Sequence, residues 1–391
     1  MKIAIDSNVL TFEPSGVAKS LLHLFNACKK IDNSLEIICF SQKEIKYDFD
    51  FSNKKLLYKK FPFNIPDITF KNSIADCDFI HYHWNGQIIK YIDRKNSIMM
   101  LHDVLPLEIP NYFKNNNQRE KYIKRIQRDI NLAQFILTPT QYSKEQILKN
   151  FQVNKEIIVL PHGVTLPENI NLRERTDKNS YLIYVGGYDS RKGLVPLLKA
   201  YIHGVKNGVI NKNFVLVGKP NYFSEEFKQL VSEAKSMGVL KETGYVDENE
   251  LANLIFNANA LVYPSKYEGF GLPPLEAMKL GCPVVTTKYT SIPEICEDAC
   301  LYSDFEDVND FIYTLKKLED NDIKNSLVEK GRIQAEKFSW EKTAEKYLDI
   351  LNKYINNIYG GGGVTLRGFF IVFLRKIIQN FFLSCEEKIY V

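Results

Sequence analysis

Short apolar runs recur along the chain, each bounded by polar or turn-forming residues. Ile3 to Asp6, Leu35 to Phe40, Phe79 to His83, Ser97 to Leu101, Phe135 to Pro139 and Ile157 to Leu160 have the length and continuity of strands buried on both faces. Between them, Val17 to Lys29 brings Val17, Leu21, Leu24, Phe25 and Cys28 onto one helical face, and Ser143 to Asn150 also reads as helix. A polar stretch, Leu166 to Ser180, is the linker candidate, and the alternation then restarts. Tyr181 to Val185, Phe214 to Val217, Ala260 to Tyr263 and Pro283 to Thr286 are expected strands; Leu194 to Val205, Ser224 to Met237, Leu251 to Ala258 and Pro274 to Leu280 are expected helices. Trp340 to Ile355 closes the pattern as a helix, and the glycines from Gly360 to Gly363 separate it from a tail.

Strands alternating with helices predict parallel sheets covered on both faces. The expected fold class is therefore α/β, with two doubly wound Rossmann-like domains. Ligands in such sheets bind beyond the carboxyl ends of the strands, so the two domains should face one cleft. The expected divisions are 1–168, 177–339, a closing helix at 340–358 and a tail at 360–391.

A length of 391 residues agrees with two domains, and 45% hydrophobic with 25% charged residues is ordinary globular composition. A net charge of +4 calls for no nucleic-acid partner, and would suit contact with phosphate or anionic lipid. The seven cysteines are scattered, without a Cys-x-x-Cys pair, which reads as reduced thiols. Met1 to Asp6 looks like a strand and not a secretory leader, and no apolar stretch reaches the roughly 20 residues of a membrane-spanning helix. A cytoplasmic location is expected.

The string Glu268-Gly269-Phe270-Gly271-Leu272-Pro273-Pro274-Leu275-Glu276-Ala277 follows a strand and opens a helix. Glycines let a ligand approach the backbone, and a helix N-terminus offers free N–H groups to phosphate. Glu268 in the loop and Glu276 in the helix can reach two parts of one ligand, and carboxylates suit vicinal hydroxyls. The plain alternative is a Gly/Pro-rich turn with two surface acids. Gly186 to Gly193 carries Arg191-Lys192 at a second strand-to-helix turn, where fixed cations suit a pyrophosphate leaving group. His102-Asp103 ends a strand of the first domain.

These motifs, in this order, resemble the retaining glycosyltransferases of family 4, which have the GT-B fold; the resemblance runs from residue 1 to about Tyr354. It implies that Glu268 touches the donor sugar's hydroxyls, that Glu276 touches the ribose, and that Phe270, Gly271 and Leu272 bind donor sugar and phosphate through their backbone. Arg191 and Lys192 become the phosphate ligands. Many members carry an additional Arg in the loop where Gly187 stands here. His102 takes a place near the reacting sugar, as in the subset with a His-Asp pair, and Asp103 would orient its imidazole or contact the acceptor. That subset holds many mannosyltransferases. Ser15-Gly16-Val17 is similar to the glycine loop over the donor phosphates, with Lys19 standing near the position of a common Arg. Val217 to Pro220 and Gly244-Tyr245-Val246 are similar to loops lining the nucleobase pocket. The implied function is retaining transfer of a hexose, mannose-type favoured, from a nucleotide-sugar co-substrate to a cell-surface glycan or lipid-linked acceptor. Domain 1–168 would be the acceptor side and 177–339 the donor side.

Asp48-Phe49-Asp50 and Asp76-Cys77-Asp78 match the Asp-x-Asp pattern of metal-dependent transferases of another fold, but they lie away from the donor motifs, so no metal is assigned. His81 and His83 share one strand face, as a metal pair, as cleft lining or simply as packing. The basic helix Gln118 to Ile130 reads as a solvated face, or as a patch for acceptor phosphate or anionic membrane. In the tail, Arg375, Lys376, Gln379 and Asn380 share a helical face beside many aromatics, which suits peripheral contact with a bilayer or packing on the protein. A GT-B sugar-nucleotide epimerase and a non-catalytic two-domain sugar-binding protein are the alternatives. A nicotinamide dehydrogenase is disfavoured because Ser15-Gly16-Val17 does not supply Gly-x-Gly-x-x-Gly.

Overall fold

The structure is a computed structural model. It describes residues 1–359 apart from 13–14, 48, 59, 62–64, 67, 86, 90–95, 168–169, 171, 173–180 and 221, with the side chains of 60–61, 65–66, 68–69 and 357–359 also left aside. The tail at 360–391, most of the 166–180 linker and Asp48 therefore lie outside the described residues. The chain divides into two compact units, Met1–Ala344 and Glu345–Val391. Both sheets belong to the first.

The first sheet has seven parallel strands in the order β3-β2-β1-β6-β7-β8-β9. They are β1 (Lys2–Asp6), β2 (Glu36–Ser41), β3 (Lys54–Leu57), β6 (Phe79–Tyr82), β7 (Ser97–Met100), β8 (Phe135–Thr138) and β9 (Ile157–Val159). Two-residue strands β4 (Lys60–Phe61) and β5 (Ile65–Pro66) form a separate antiparallel ribbon. Helices α1 (Gly16–Ile31), α2 (Ile68–Ile74), α3 (Asn116–Leu132) and α4 (Gln141–Asn150) make the crossovers. The second sheet has six parallel strands in the order β12-β11-β10-β13-β14-β15. These are β10 (Tyr181–Val185), β11 (Asn213–Val217), β12 (Leu240–Gly244), β13 (Ala260–Tyr263), β14 (Val284–Thr286) and β15 (Leu301–Tyr302). Its helices are α5 (Leu194–Lys206), α6 (Glu225–Ser236), α7 (Glu248–Asn257), α8 (Leu272–Lys279), α9 (Ile292–Cys296), α10 (Val308–Lys317) and α11 (Asn321–Glu336), and α12 (Trp340–Tyr359) follows.

Central strands are fully covered, as their unbroken apolar runs require: Ile3, Ala4, Ile5, Ile183, Tyr184, Leu261 and Val262 have no exposed surface. Burying each of the isoleucine, leucine and valine side chains contributes about 1.5–3 kcal/mol. The edge strands β3 and β12 escaped the sequence pattern because polar residues interrupt their apolar runs: Lys54, Lys55 and Lys241 are exposed, and Glu242 of β12 pairs with Lys235. Helix starts follow side-chain caps. Ser15 accepts from Ala18 N, Thr140 from Ser143 N, and Asp247 from Glu250 N, each worth about 1 kcal/mol. The Asp247 cap starts α7 three residues before the apolar pattern begins, and α8 starts at Leu272, with Pro273 in its first turn.

In each sheet the strand order reverses beside the first strand, between β1 and β6 and between β10 and β13. Crevices open at such switch points. The Glu268 loop follows β13 and the Arg191-Lys192 turn follows β10, so sheet topology alone brings these distant segments together.

Candidate functional site

Glu268 is the hub. Its Oε1 accepts from Lys192 Nζ at 2.5 Å, Ser265 Oγ at 2.6 Å and Tyr263 OH at 2.7 Å. Lys192 Nζ also reaches Tyr263 OH at 3.0 Å. Arg191 approaches the other oxygen, with Nη1 3.6 Å from Oε2, and donates to Tyr267 O at 2.7 Å. Glu268 and Lys192 are buried. Burial alone would raise the Glu268 pKa, but the charges of Lys192 and Arg191, with the Lys192 and Ser265 hydrogen bonds, outweigh it and hold the carboxyl at about 2. Burial pulls Lys192 downward despite Glu268.

The loop is braced from behind. Glu268 N donates to Thr290 Oγ1 at 3.0 Å, and Ser291 Oγ donates to both Glu268 O and Phe270 O at 2.9 Å. Thr290 has φ +54°, a costly backbone for a β-branched residue. Gly193, φ +67°, ends the Arg191-Lys192 turn so close to the other loop that a Cβ would stand 2.2 Å from Pro264 O. Gly271, φ +111°, precedes α8. Glycine at these positions is set by backbone geometry.

Glu276 projects from α8 into a cavity of about 450 Å³. Lys19, His23, Glu248, Leu272 and Trp340 are among its other walls. Burial raises the Glu276 pKa, and Lys19 opposes this. Lys19 carries an ion pair at the wall of this cavity. Its Nζ is 2.7 Å from Glu248 Oε1, so this cation is already paired. Gly16 is exposed at the start of α1, with open space where a Cβ would stand. Val246 is half-buried in the loop before α7, beside the exposed Tyr245.

His102 is buried, and both ring nitrogens have partners within the first domain. Nδ1 lies 3.3 Å from His162 Nε2, and Nε2 lies 2.8 Å from His83 O. Asp103 is therefore not the group that orients its imidazole: Asp103 Oδ1 accepts from Leu105 N at 3.1 Å. Asp103 faces the Glu268 loop instead, since a Cβ on Gly269 would meet its Oδ2 at 2.8 Å. Burial raises its pKa to about 6, against the pull of Leu105 N and Arg191. His81 and His83 bond to each other at 2.9 Å, and His83 to Ser20 Oγ at 2.8 Å, so the pair is engaged in packing the first domain. Asp76 pairs with Lys2 Nζ at 2.6 Å and Asp78 accepts from Lys2 N at 2.8 Å, fastening the start of β1. On α3, Arg125 donates to Asn85 O and Arg128 pairs with Asp129, while Arg119, Lys121 and Lys124 are exposed.

Thr140, Ser143, Ser265, Thr290, Ser291 and Glu294 touch or brace this site, and the sequence did not mark them as site residues. They are single polar residues outside any motif, and only Ser265 lies beside one.

Residues 167–335 match the sequence profile of the family described as glycosyl transferases group 1. Among curated proteins, the O-antigen chain mannosyltransferase B of Escherichia coli is 29% identical over 276 residues, 68% of this chain and 71% of that protein. The serotype-specific mannosyltransferase WbdA of Escherichia coli is 26% identical over 308 residues; the match spans 71% of this chain but only 37% of that longer protein. Among solved structures, the sucrose-phosphate synthase of Thermosynechococcus elongatus superposes with a TM-score of 0.70 at 18% identity, covering 91% of this chain and 99% of that one. Its likeness supports the fold alone. Six of the cysteines are free and buried, and among the described residues no helix is long and apolar enough to cross a membrane. Residues 167–335 are thus similar to the glycosyl transferases group 1 family, and the chain has the two-domain scaffold of the GT-B fold.

Proposed function

We propose that the chain transfers a hexose, mannose in preference, from a nucleotide sugar to a cell-surface glycan or lipid-linked acceptor, with retention of configuration and without a metal. The observation that carries the reading is the cluster of buried Lys192 and Glu268 with half-buried Arg191 at the switch point of the second sheet. Its two cations and one carboxylate leave a net charge of +1 for a diphosphate. The relatives' activities, O-antigen chain and serotype-specific mannosyl transfer, favour mannose and a lipopolysaccharide-type acceptor.

In this reading Glu268 Oε2, the oxygen not taken by Lys192, Tyr263 and Ser265, accepts a sugar hydroxyl. Backbone N–H groups of Phe270, Gly271 and Leu272 meet the phosphates, Glu276 binds the ribose, and Gly16 and Val246 line the nucleotide. The acceptor oxygen forms its bond to the anomeric carbon on the face from which the diphosphate departs. The acceptor's proton passes to the leaving phosphate oxygen. Arg191 and Lys192 stabilise the charge that develops there, which is the largest catalytic contribution available to such a site. His102 supports the reacting sugar's side of the cleft from its place against His162 and His83 O. The 360–391 tail gives peripheral contact with an anionic membrane, at a cytoplasmic face.

Incubation with GDP-mannose or UDP-glucose and a soluble mannoside acceptor tests the reading. A new α-linked product seen by NMR, formed equally in EDTA, is expected. An epimerised nucleotide sugar, or activity that EDTA abolishes and manganese restores, would overturn the corresponding part.

A further inference from the structure

The N-terminus of α4 belongs to the first domain, yet its orphan N–H groups are satisfied from the second. Gln141 N donates to Glu294 Oε1 at 2.7 Å and Tyr142 N to Glu294 Oε2 at 3.0 Å. A carboxylate at the positive end of a helix is well placed, because the first-turn N–H groups have no partner inside the helix. The same helix start holds the Glu268 loop. Thr140 Oγ1 donates to Gly269 O at 3.1 Å while accepting from Ser143 N at 3.0 Å, and Ser143 Oγ is 3.3 Å from Gly269 O. Glu294 lies on α9, whose N-cap is Ser291. Ser291 in turn holds Glu268 O and Phe270 O.

These contacts form a closed circuit. The Glu268 loop is held by Ser291, Ser291 leads into α9, Glu294 of α9 holds α4, and the cap of α4 returns to Gly269. Two of its links cross between the domains. Gly269 itself fits there because Asp103 leaves no room for a side chain. A loop tied only to its own sheet would keep its position when the domains part, but Gly269 gains its Thr140 and Ser143 partners only when they meet.

We propose that Glu294, acting with Thr140, is a positioning residue for sugar transfer: it locks the first domain against the Glu268 loop and so aims the donor at the acceptor side. The proposal rests on the donor-site reading above. Neither residue needs to touch substrate. The expected signature is loss of turnover with little loss of nucleotide affinity, because Arg191, Lys192 and Glu276 stand outside the circuit, and the phosphate-binding backbone of Phe270 to Leu272 keeps its own brace, Ser291 Oγ to Phe270 O, when Glu294 is removed.

The test uses the full-length chain with Glu294→Ala, Glu294→Gln and Thr140→Val. Hydrogen exchange of the peptide covering Gln141 and Tyr142 should be faster by about 10-fold or more in Glu294→Ala, as expected for losing hydrogen bonds to a charged group. With GDP-mannose and a soluble acceptor, kcat should fall by about 10-fold or more while the Kd for GDP stays within about twofold. Glu294→Gln keeps one acceptor oxygen and should recover part of both. Thr140→Val should lower kcat without altering GDP binding. Unchanged exchange in Glu294→Ala would overturn the latch. A Kd for GDP that rises in step with the loss of kcat would show action through the donor pocket, and would overturn the positioning role. If Glu294→Ala does not fold, Glu294→Gln carries the same two readouts. Should wild-type protein turn over no nucleotide sugar, the donor reading fails by itself, and exchange at Gln141 and Tyr142 still decides whether the latch exists.

Discussion

Lys192 and Glu268 form a buried ion pair, Nζ to Oε1 2.5 Å, that joins the turn after β10 to the loop after β13. Both side chains are about one-tenth exposed, at 11% each. Tyr263 and Ser265 supply the remaining hydrogen bonds to Oε1. Such a pair is expensive to break from one side, because the partner stays behind as an uncompensated buried charge.

Lys192→Met should therefore destabilise the protein by about 3–5 kcal/mol, whereas Lys192→Met with Glu268→Gln should cost much less. Denaturant titrations of both single variants and the double variant measure this. Additive effects would mean that the two charges do not interact.

Glu268 also sets an acid limb of stability. Its folded pKa, about 2, lies below the ordinary value of 4.5. The contribution is complete above about pH 4.5 and is lost as pH falls toward 2, amounting to about 3 kcal/mol. Glu268→Gln should flatten the stability profile across that window.

Asp103 has the opposite sign. Its pKa rises from 3.8 to about 6, so the folded state prefers the protonated acid, and stability falls as pH climbs through that interval. Asp103→Asn keeps an acceptor for Leu105 N and removes the charge. It should raise stability at pH 7 by about 1–2 kcal/mol, after allowance for partial exposure, and leave pH 3 unchanged. Thermal melts at the two pH values check it.

Glu276→Ala should mainly weaken nucleotide binding, by about 1.5–3 kcal/mol or roughly 10- to 150-fold, whereas Glu268→Ala should mainly lower turnover. Calorimetric titration with GDP and UDP, set beside initial rates, separates the two. Equal effects on binding and rate in both variants would remove the division of labour.

Gly193→Ala should cost at least about 1 kcal/mol, through a positive φ and a clash with Pro264 O. Because it pushes the Arg191-Lys192 turn away from the Glu268 loop, activity should fall together with the melting temperature.

The amino-acid sequence by itself determined the alternation of strands and helices, the two-sheet α/β class and the three loops at strand ends that carry Glu268, Arg191-Lys192 and His102-Asp103. Buried parallel strands must be apolar on both faces, and strand-to-helix turns that approach a ligand need glycine and fixed charge, so both leave a local pattern. Edge strands such as β12, half in water, leave a much weaker one. Tertiary structure alone decided which charges meet. Local sequence could not reveal that Glu268 would neutralise Lys192, 76 residues away, or that Glu248 would claim Lys19, 229 away. Nor could it show that Glu294 would cap α4 from 153 residues away, or that both nitrogens of His102 would be spent on His162 and His83. A hydrogen bond or ion pair depends on where two atoms stand in space, and that position is set by the packing of whole sheets and not by any run of neighbouring residues.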